Sequence, residues 1–206
     1  GQVAHVDLDV PIRPESLVRR LARYLPPDVS VRKISEAPEG FHARFSAIER
    51  RYVYRLCDTT VVPDPLQRRH IATFRHQLDV TAMNYAAQHL LGDHDFASFC
   101  KRREGATTIR TLRQLSSLRR ADDVIETTVR ANAFCHSMVR SLMGALVAVG
   151  EHAYEPEWAA HVLKAGVRHA RVTVMPARGL TLEEVVYPSE AQLAARALEA
   201  RTRRTL

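Results

Sequence analysis

Two stretches of the chain hold side chains of the types and spacing that do chemistry. The first is Phe41-His42-Ala43-Arg44-Phe45-Ser46, followed by Arg50-Arg51-Tyr52-Val53-Tyr54. Guanidinium groups hold phosphates, and aromatic rings stack on unpaired bases at about 1–3 kcal/mol each, so rings interleaved with arginines suit an RNA surface. The same residues also fit an edge strand with ordinary cross-strand aromatic pairs. The second stretch runs from Arg130 through Asn132, Phe134, Cys135 and His136 to Met138-Val139-Arg140, a polar strand end leading into an apolar helix. Arg140 falls in the first turn of that helix, where the macrodipole disfavours a cation. A cation placed there suggests an anionic partner, either a catalytic carboxylate or a phosphate; the plainer reading is a side chain that snorkels to water. Cys135 beside His136 is a poor thiol nucleophile pair, because neighbours on a strand point to opposite faces. The ten histidines form no His-Glu-x-x-His or Cys/His cluster, and Gly105 and Gly144 belong to no phosphate loop.

These residues must be positioned by elements that the hydrophobic pattern marks out. Gln2–Val10 alternates Ala4, Val6, Leu8 and Val10 with His5, Asp7 and Asp9, the period of a half-buried strand. A helix is expected from Pro14 to Leu25 on the stripe Leu17, Val18, Leu21 and Leu25, with Pro26-Pro27 as its stop. Val29–Ala37 reads as a strand, Pro38-Glu39-Gly40 as a turn, and Ser46–Cys57 as a strand with Tyr52, Tyr54 and Leu56 on one face and Arg51, Val53 and Arg55 on the other. Val61–Leu66 is a proline-containing loop, and Asp79 caps a helix over Val80–Leu91 that Gly92 stops. Cys100–Thr108 is a basic exposed loop, and Thr111–Leu118 with Val124–Asn132 forms a hairpin. Helices follow at Ser137–Val149 and Pro156–Lys164, then a strand at Gly179–Tyr187 and an Ala-rich helical or frayed tail over Ser189–Arg204. This order gives an α+β class with antiparallel sheets flanked by helices.

Composition narrows the function classes. The 206 residues carry 30 Lys+Arg against 23 Asp+Glu, a formal charge of +7, and 27 of the 30 basic residues are arginine. No run of about 18 apolar residues is present, which argues against a transmembrane helix. The polar, strand-like first residues do not resemble a signal peptide. Three widely spaced cysteines without a Cys-x-x-Cys pair argue against a disulfide scaffold or zinc ribbon and fit a reducing, cytoplasmic setting. Most of the net charge falls in residues 99–120, which hold Lys101, Arg102, Arg103, Arg110, Arg113, Arg119 and Arg120 against Glu104 alone, or +6. The tail after Tyr187 adds +2. A concentrated basic strip suggests a polyanion such as nucleic acid, or else a solvated face of an arginine-rich protein.

Seven segments in order carry a family resemblance: Gly1-Gln2-Val3-Ala4-His5, Phe41-His42-Ala43-Arg44-Phe45-Ser46-Ala47, Arg50-Arg51-Tyr52-Val53-Tyr54, His94-Asp95-Phe96-Ala97-Ser98-Phe99, Ala131-Asn132-Ala133-Phe134, Met138-Val139-Arg140 and Gly179-Leu180-Thr181-Leu182. Together they resemble the TruA family of tRNA pseudouridine synthases, from Gly1 to about Pro188. The resemblance implies a tRNA pseudouridine(38–40) synthase that isomerises uridine in the anticodon stem-loop, with no cofactor and no metal. It implies a fold of two α/β halves related by a pseudo-twofold axis, and a cytoplasmic homodimer with a basic cleft shaped by both subunits. On that reading residues 1–40 are the remainder of the N-terminal half, 41–188 the C-terminal half and 189–206 a tail.

The family's catalytic aspartate lies in an Arg-Thr-Asp-Ala-Gly-Val-His motif, which does not occur here. The chain therefore reads as N-terminally truncated and inactive by itself, and neither Asp7 nor Asp9 stands in for the missing residue. The resemblance assigns Tyr52 to packing against the target base, with proton abstraction at C5 as a further role. A phenol of pKa about 10 performs that abstraction at neutral pH only if its surroundings lower the value. Arg140 is implied as the partner of the catalytic aspartate and Leu180 as a wall of the uracil pocket. Arg50, Arg51, Lys101, Arg102, Arg103 and Arg110 are expected to contact tRNA. Two rival readings stay open: a non-catalytic RNA-binding module of the same fold, and a scaffold whose basic strip binds acidic proteins.

Overall fold

The computed structural model describes residues 1–10, 13–58, 62–101, 103 and 105–201. Its centre is strand β1 (Glu49–Cys57), where the alternation of rings and arginines puts Tyr52, Tyr54 and Leu56 on the core side. Strand β5 (Ile125–Ala131) runs antiparallel to β1 from Arg50↔Ala131 to Leu56↔Ile125. The partners elsewhere along β1 are β6 (Leu180–Val186), antiparallel to Glu49–Tyr54, and the short β2 (Ala72–Thr73), parallel to Leu56–Cys57. Beyond β5 lie β4 (Ile109–Arg119) and β3 (Gly92–Asp95), giving the order β2-β1-β5-β4-β3 with β6 added on β1.

The helices are α1 (Pro14–Tyr24), α2 (Val80–Gln88), α3 (Met138–Gly150), α4 (Trp158–Lys164) and α5 (Leu193–Arg201). One core joins Tyr54, Leu56, Leu112, Leu115, Ile125 and Val129 of the sheet to Met83, Ala86 and Ala87 of α2, to Met138, Leu142, Met143 and Leu146 of α3, and to Ala159 and Val162 of α4. The chain thus shows a mixed α/β fold, one sheet flanked by helices. Asp79 caps α2 as expected, its side chain accepting from the Ala82 amide at 3.0 Å. The helix ends three residues before the expected Leu91, and Gly92, at φ 108°, opens β3 instead of stopping the helix.

The face of the sheet away from the helices carries a chain of ion pairs. Arg113 and Arg130 clasp Glu49 at 2.9 Å each, Arg51 holds Glu183 at 2.6 Å and Glu184 at 3.0 Å, and Arg55 bridges Glu183 at 2.7 Å to Glu126 at 2.8 Å. Two β-bulges make this possible. The β1–β6 register shifts between Arg51 and Tyr52, leaving Glu183 as an extra residue, and the β4–β5 register shifts between Leu112 and Gln114, leaving Arg113 as another. The Glu49 carboxylate meets a burial penalty, but the bonds from Arg113 and Arg130 outweigh it and hold its pKa below the usual range.

Several expectations fail. Neither Gln2–Val10 nor Val29–Ala37 is a strand: both lack regular structure, and residues 1–10 are exposed. Alternation marks a strand only where a ladder partner exists, and no described strand pairs with either segment. Helix α1 forms where expected but buries no residue. The expected Val61–Leu66 loop contains a 3₁₀ turn from Pro65 to Gln67, with Val61 outside the described residues. Cys100 and Cys135, 35 residues apart in the sequence, lie side by side, with Cα atoms 5.8 Å apart. The fold brings their two loops together, and the Lys101 amide bonds the His136 carbonyl at 2.9 Å. Cys57 stays free and buried.

Candidate active site

Strands β1 and β6 position the first group of side chains. Tyr52 stands opposite Leu182 and Tyr54 opposite Leu180, so all four side chains share the helix-side face of the sheet. Phe134, on the segment between β5 and α3, meets the Tyr52 ring edge-on with centroids 5.1 Å apart. Tyr52, Phe134 and Leu180 are half-buried and pack against the core, which gives the group an apolar wall at the protein surface. Burial pushes the Tyr52 phenol above its ordinary pKa, although the Arg50 charge opposes it. Its surroundings therefore keep Tyr52 protonated at neutral pH, the reverse of what a general base needs.

Arg140 is delivered by the first turn of α3 and held by a strap, residues 172–179, that runs from α4 to β6. Its Nε donates to the Met175 carbonyl, and its own carbonyl accepts from the Met175 amide at 3.1 Å. The next carbonyl along the strap, that of Pro176, accepts from the Tyr54 hydroxyl at 2.9 Å. Two glycines seat the strap. A Cβ on Gly144 of α3 would lie 1.8 Å from the Thr173 carbonyl oxygen, and one on Gly179 would lie 2.7 Å from both the Arg55 carbonyl oxygen and Tyr54 Cζ. Tyr54 is fully buried, and burial raises its phenol to about 12, so it remains a donor across the physiological range. Among the described residues no carboxylate pairs with the Arg140 guanidinium.

The remaining residues expected at the site are scattered more widely. Arg50 lies on the same face as Tyr52, two residues and about 7 Å along the strand. It donates to the carbonyls of Asn132 at 2.7 Å, Ala47 at 3.3 Å and Arg44. Arg51 lies on the opposite face, spent on Glu183 and Glu184. Lys101 and Arg103 are exposed on the loop after Cys100, and Arg102 lies outside the described residues. Arg110, on β4, donates to the carbonyls of Ile109 and Thr107. The 99–120 strip is therefore not one surface. Arg113 is paired with Glu49, Arg119 with Asp58 and Arg120 with Glu126, which leaves the basic character of the described residues at the loop end. Phe134 belonged to a segment marked by its pattern but had no role assigned; its place on Tyr52 could not be read without the fold.

Comparison with known proteins adds an independent line. Residues 86–188 match the family model described as tRNA pseudouridine synthase. The whole chain aligns with tRNA pseudouridine synthase A of Streptomyces avermitilis at 56% identity, covering 73% of that protein. It aligns over its full length with proteins of the same name from Cutibacterium acnes at 53% identity and Mycobacterium leprae at 43%, covering 74% and 76% of them. Among the described residues no helix is long and apolar enough to cross a membrane.

Proposed function

Because the chain belongs to the tRNA pseudouridine synthase family, we propose that it carries the C-terminal half of an active site that isomerises uridine to pseudouridine in the anticodon stem-loop of tRNA. The observation that carries this reading is that Tyr52, in edge contact with Phe134, shares the helix-side face of the sheet with Leu180, which stands opposite Tyr54, while Arg140 is pinned on the strap that leads to Leu180. In the reaction the C1′–N1 glycosidic bond breaks, the base turns, C1′ bonds to C5, and the C5 proton is lost to a base while N1 takes up a proton, so atoms and charge balance. The uracil must leave its stack, at about a few kcal/mol. Tyr52 and Leu180 supply apolar surface to receive it, and the protonated Tyr52 acts by packing and hydrogen bonding rather than as the base at C5.

Arg140 presents its guanidinium to the catalytic aspartate, which in this reading comes from sequence outside these 206 residues, so the chain alone does not turn over. Charge-assisted pairing keeps that carboxylate ionised and fixes its rotamer. Arg50, Lys101, Arg102, Arg103 and Arg110 meet tRNA phosphates. Arg51 is left out because its charge is neutralised on the opposite face. The working protein is a cytoplasmic homodimer that needs no cofactor or metal.

The test is to incubate the full-length protein with unmodified tRNA and map pseudouridine by carbodiimide-adduct primer extension. Modification confined to the anticodon arm supports the reading. Tight tRNA binding with every uridine left intact would favour a non-catalytic RNA-binding module instead.

A further inference from the structure

Four arginines gather at a place where the catalytic reading gives only one of them a task. Helix α5 docks onto residues 40–46. Gly40, at φ 73°, leaves room for Ala194, whose Cβ lies 2.5 Å from where a Gly40 Cβ would stand. The buried Ser46 hydroxyl donates to the Leu193 carbonyl at 3.1 Å and accepts from the His42 amide at 2.9 Å. Leu193 and Ala197 are buried beneath the helix, and the Tyr187 hydroxyl bonds the Ala43 carbonyl at 2.7 Å.

This docking fixes what α5 presents. Arg201 lies with its Cζ 5.4 Å from the Phe45 ring centroid, and Arg44 lies 5.2 Å from the same ring. Burial lowers the Arg50 pKa, and the nearby charges of Arg196 and Arg44 lower it further. Arg50 donates to three neutral carbonyls. Among the described residues one carboxylate, Glu199, pairs with any of the four, at 2.8 Å from Arg196. Arg44 and Arg201 are exposed. On the far face of the sheet, by contrast, Arg51, Arg55 and Arg113 are each neutralised by a carboxylate. Here Arg44 and Arg201 share one aromatic ring, and Arg50 and Arg196 stand beside them; like charges held together at a ring are the arrangement of a surface that meets a polyanion.

We propose that Arg44 and Arg201, which flank Phe45, together with the neighbouring Arg50 and Arg196, form a phosphate-binding clamp for the tRNA backbone beside the Tyr52 wall, assembled by the docking of α5. The clamp rests on the reading of tRNA as substrate. It gives the arginine-rich tail a task. Arg50 joins the two regions, since it shares a sheet face with Tyr52 and bonds the Asn132 carbonyl two residues before Phe134.

The test uses the full-length protein and unmodified tRNA. A triple variant, Arg44→Ala with Arg196→Ala and Arg201→Ala, is compared with wild type by filter binding across a salt series. A second triple variant removes the same charge from the exposed face of α1: Arg19→Ala, Arg20→Ala and Arg23→Ala. The clamp predicts that the first variant binds at least about tenfold more weakly near 0.1 M salt. Its slope of log K against log salt becomes shallower by about 0.7–0.9 for each lost phosphate contact. The α1 variant keeps the wild-type slope, and replacing the three clamp arginines by lysine restores most of it. Thermal melting of each variant separates a loss of α5 docking from a loss of phosphate contact. A triple clamp variant that melts lower but keeps the wild-type slope assigns the arginines to holding α5 and overturns the clamp. Equal slope changes in both triple variants overturn its location. A wild-type protein that binds no tRNA defeats the substrate reading and the clamp together, whereas wild-type binding with an unchanged clamp variant defeats the clamp alone.

Discussion

Replacing Tyr54 by phenylalanine tests whether the strap positions the site or merely packs on it. The substitution keeps the buried ring and removes one hydrogen bond, from the hydroxyl to the Pro176 carbonyl at 2.9 Å. A net hydrogen bond contributes about 1 kcal/mol, which for a domain of this size corresponds to a fall in Tm of about 2–4 °C. The kinetic effect is expected to be larger in proportion. Met175, which holds Arg140 through both its carbonyl and its amide, is the residue before Pro176, so slack at Pro176 reaches the guanidinium directly. A displacement near 1 Å at a reacting centre costs up to about 100-fold, and a partial loss of restraint predicts a fall in kcat of about tenfold, with KM within about threefold. The assay is pseudouridine formation by the full-length Tyr54→Phe variant under single-turnover and steady-state conditions. A lower Tm with unchanged kcat would refute the positioning role. A pH series gives a second handle. The Tyr54 pKa is raised from 10.0 to about 12 in the folded state, so its contribution is complete below pH 10 and fades as pH climbs toward 12. The stability gap between wild type and Tyr54→Phe should narrow across that window.

Other substitutions follow from the same geometry. Asp58→Ala breaks a buried pair, since the Asp58 carboxylate holds Arg119 at 2.7 Å and the Leu78 amide at 2.9 Å; a loss of about 3–5 kcal/mol in urea unfolding is expected. Gly144→Ala drives a methyl into the Thr173 carbonyl and should cost about 3 kcal/mol, with a marked loss of activity because the strap must lift. The Glu49 pKa is depressed below its ordinary 4.5, so its stabilisation is present above that value and disappears as pH falls through the folded-state value; Tm measured in acid should fall less steeply in Glu49→Gln than in wild type.

How much of this was legible in the sequence differs element by element. The β4–β5 hairpin follows from alternation because it buries one face, β1 because Tyr52, Tyr54 and Leu56 share the core side, and α3 from its apolar run, since it is buried nearly all round. The segments 2–10 and 29–37 have strand-like alternation and are coil, because pattern records a preference for a face and not the presence of a neighbour. The alternation in β1 already separates Arg50 from Arg51, yet chemistry by residue type grouped them; only the bulge at Glu183, which leaves no mark in the sequence, shows how thoroughly Arg51 is neutralised. Tyr52, Arg140 and Leu180 were named through the family resemblance. What holds them in place, the Met175 and Pro176 carbonyls and the close approaches at Gly144 and Gly179, depends on backbone contacts between residues far apart in the chain. The docking of α5 on Gly40 is of the same kind, since an Ala-rich tail has no strong apolar face to announce its partner.

The central claim is that Arg140 and the wall beside it form one half of a pseudouridine-forming site. The most direct measurement is the single-turnover rate of pseudouridine formation in tRNA by the full-length protein and its Arg140→Ala variant, with melting curves recorded for both. The account predicts rapid conversion by the wild type and a loss of at least about 100-fold in a variant that remains folded, the scale expected when a group that orients the catalytic carboxylate is removed. A folded Arg140→Ala protein that converts uridine at the wild-type rate would contradict it.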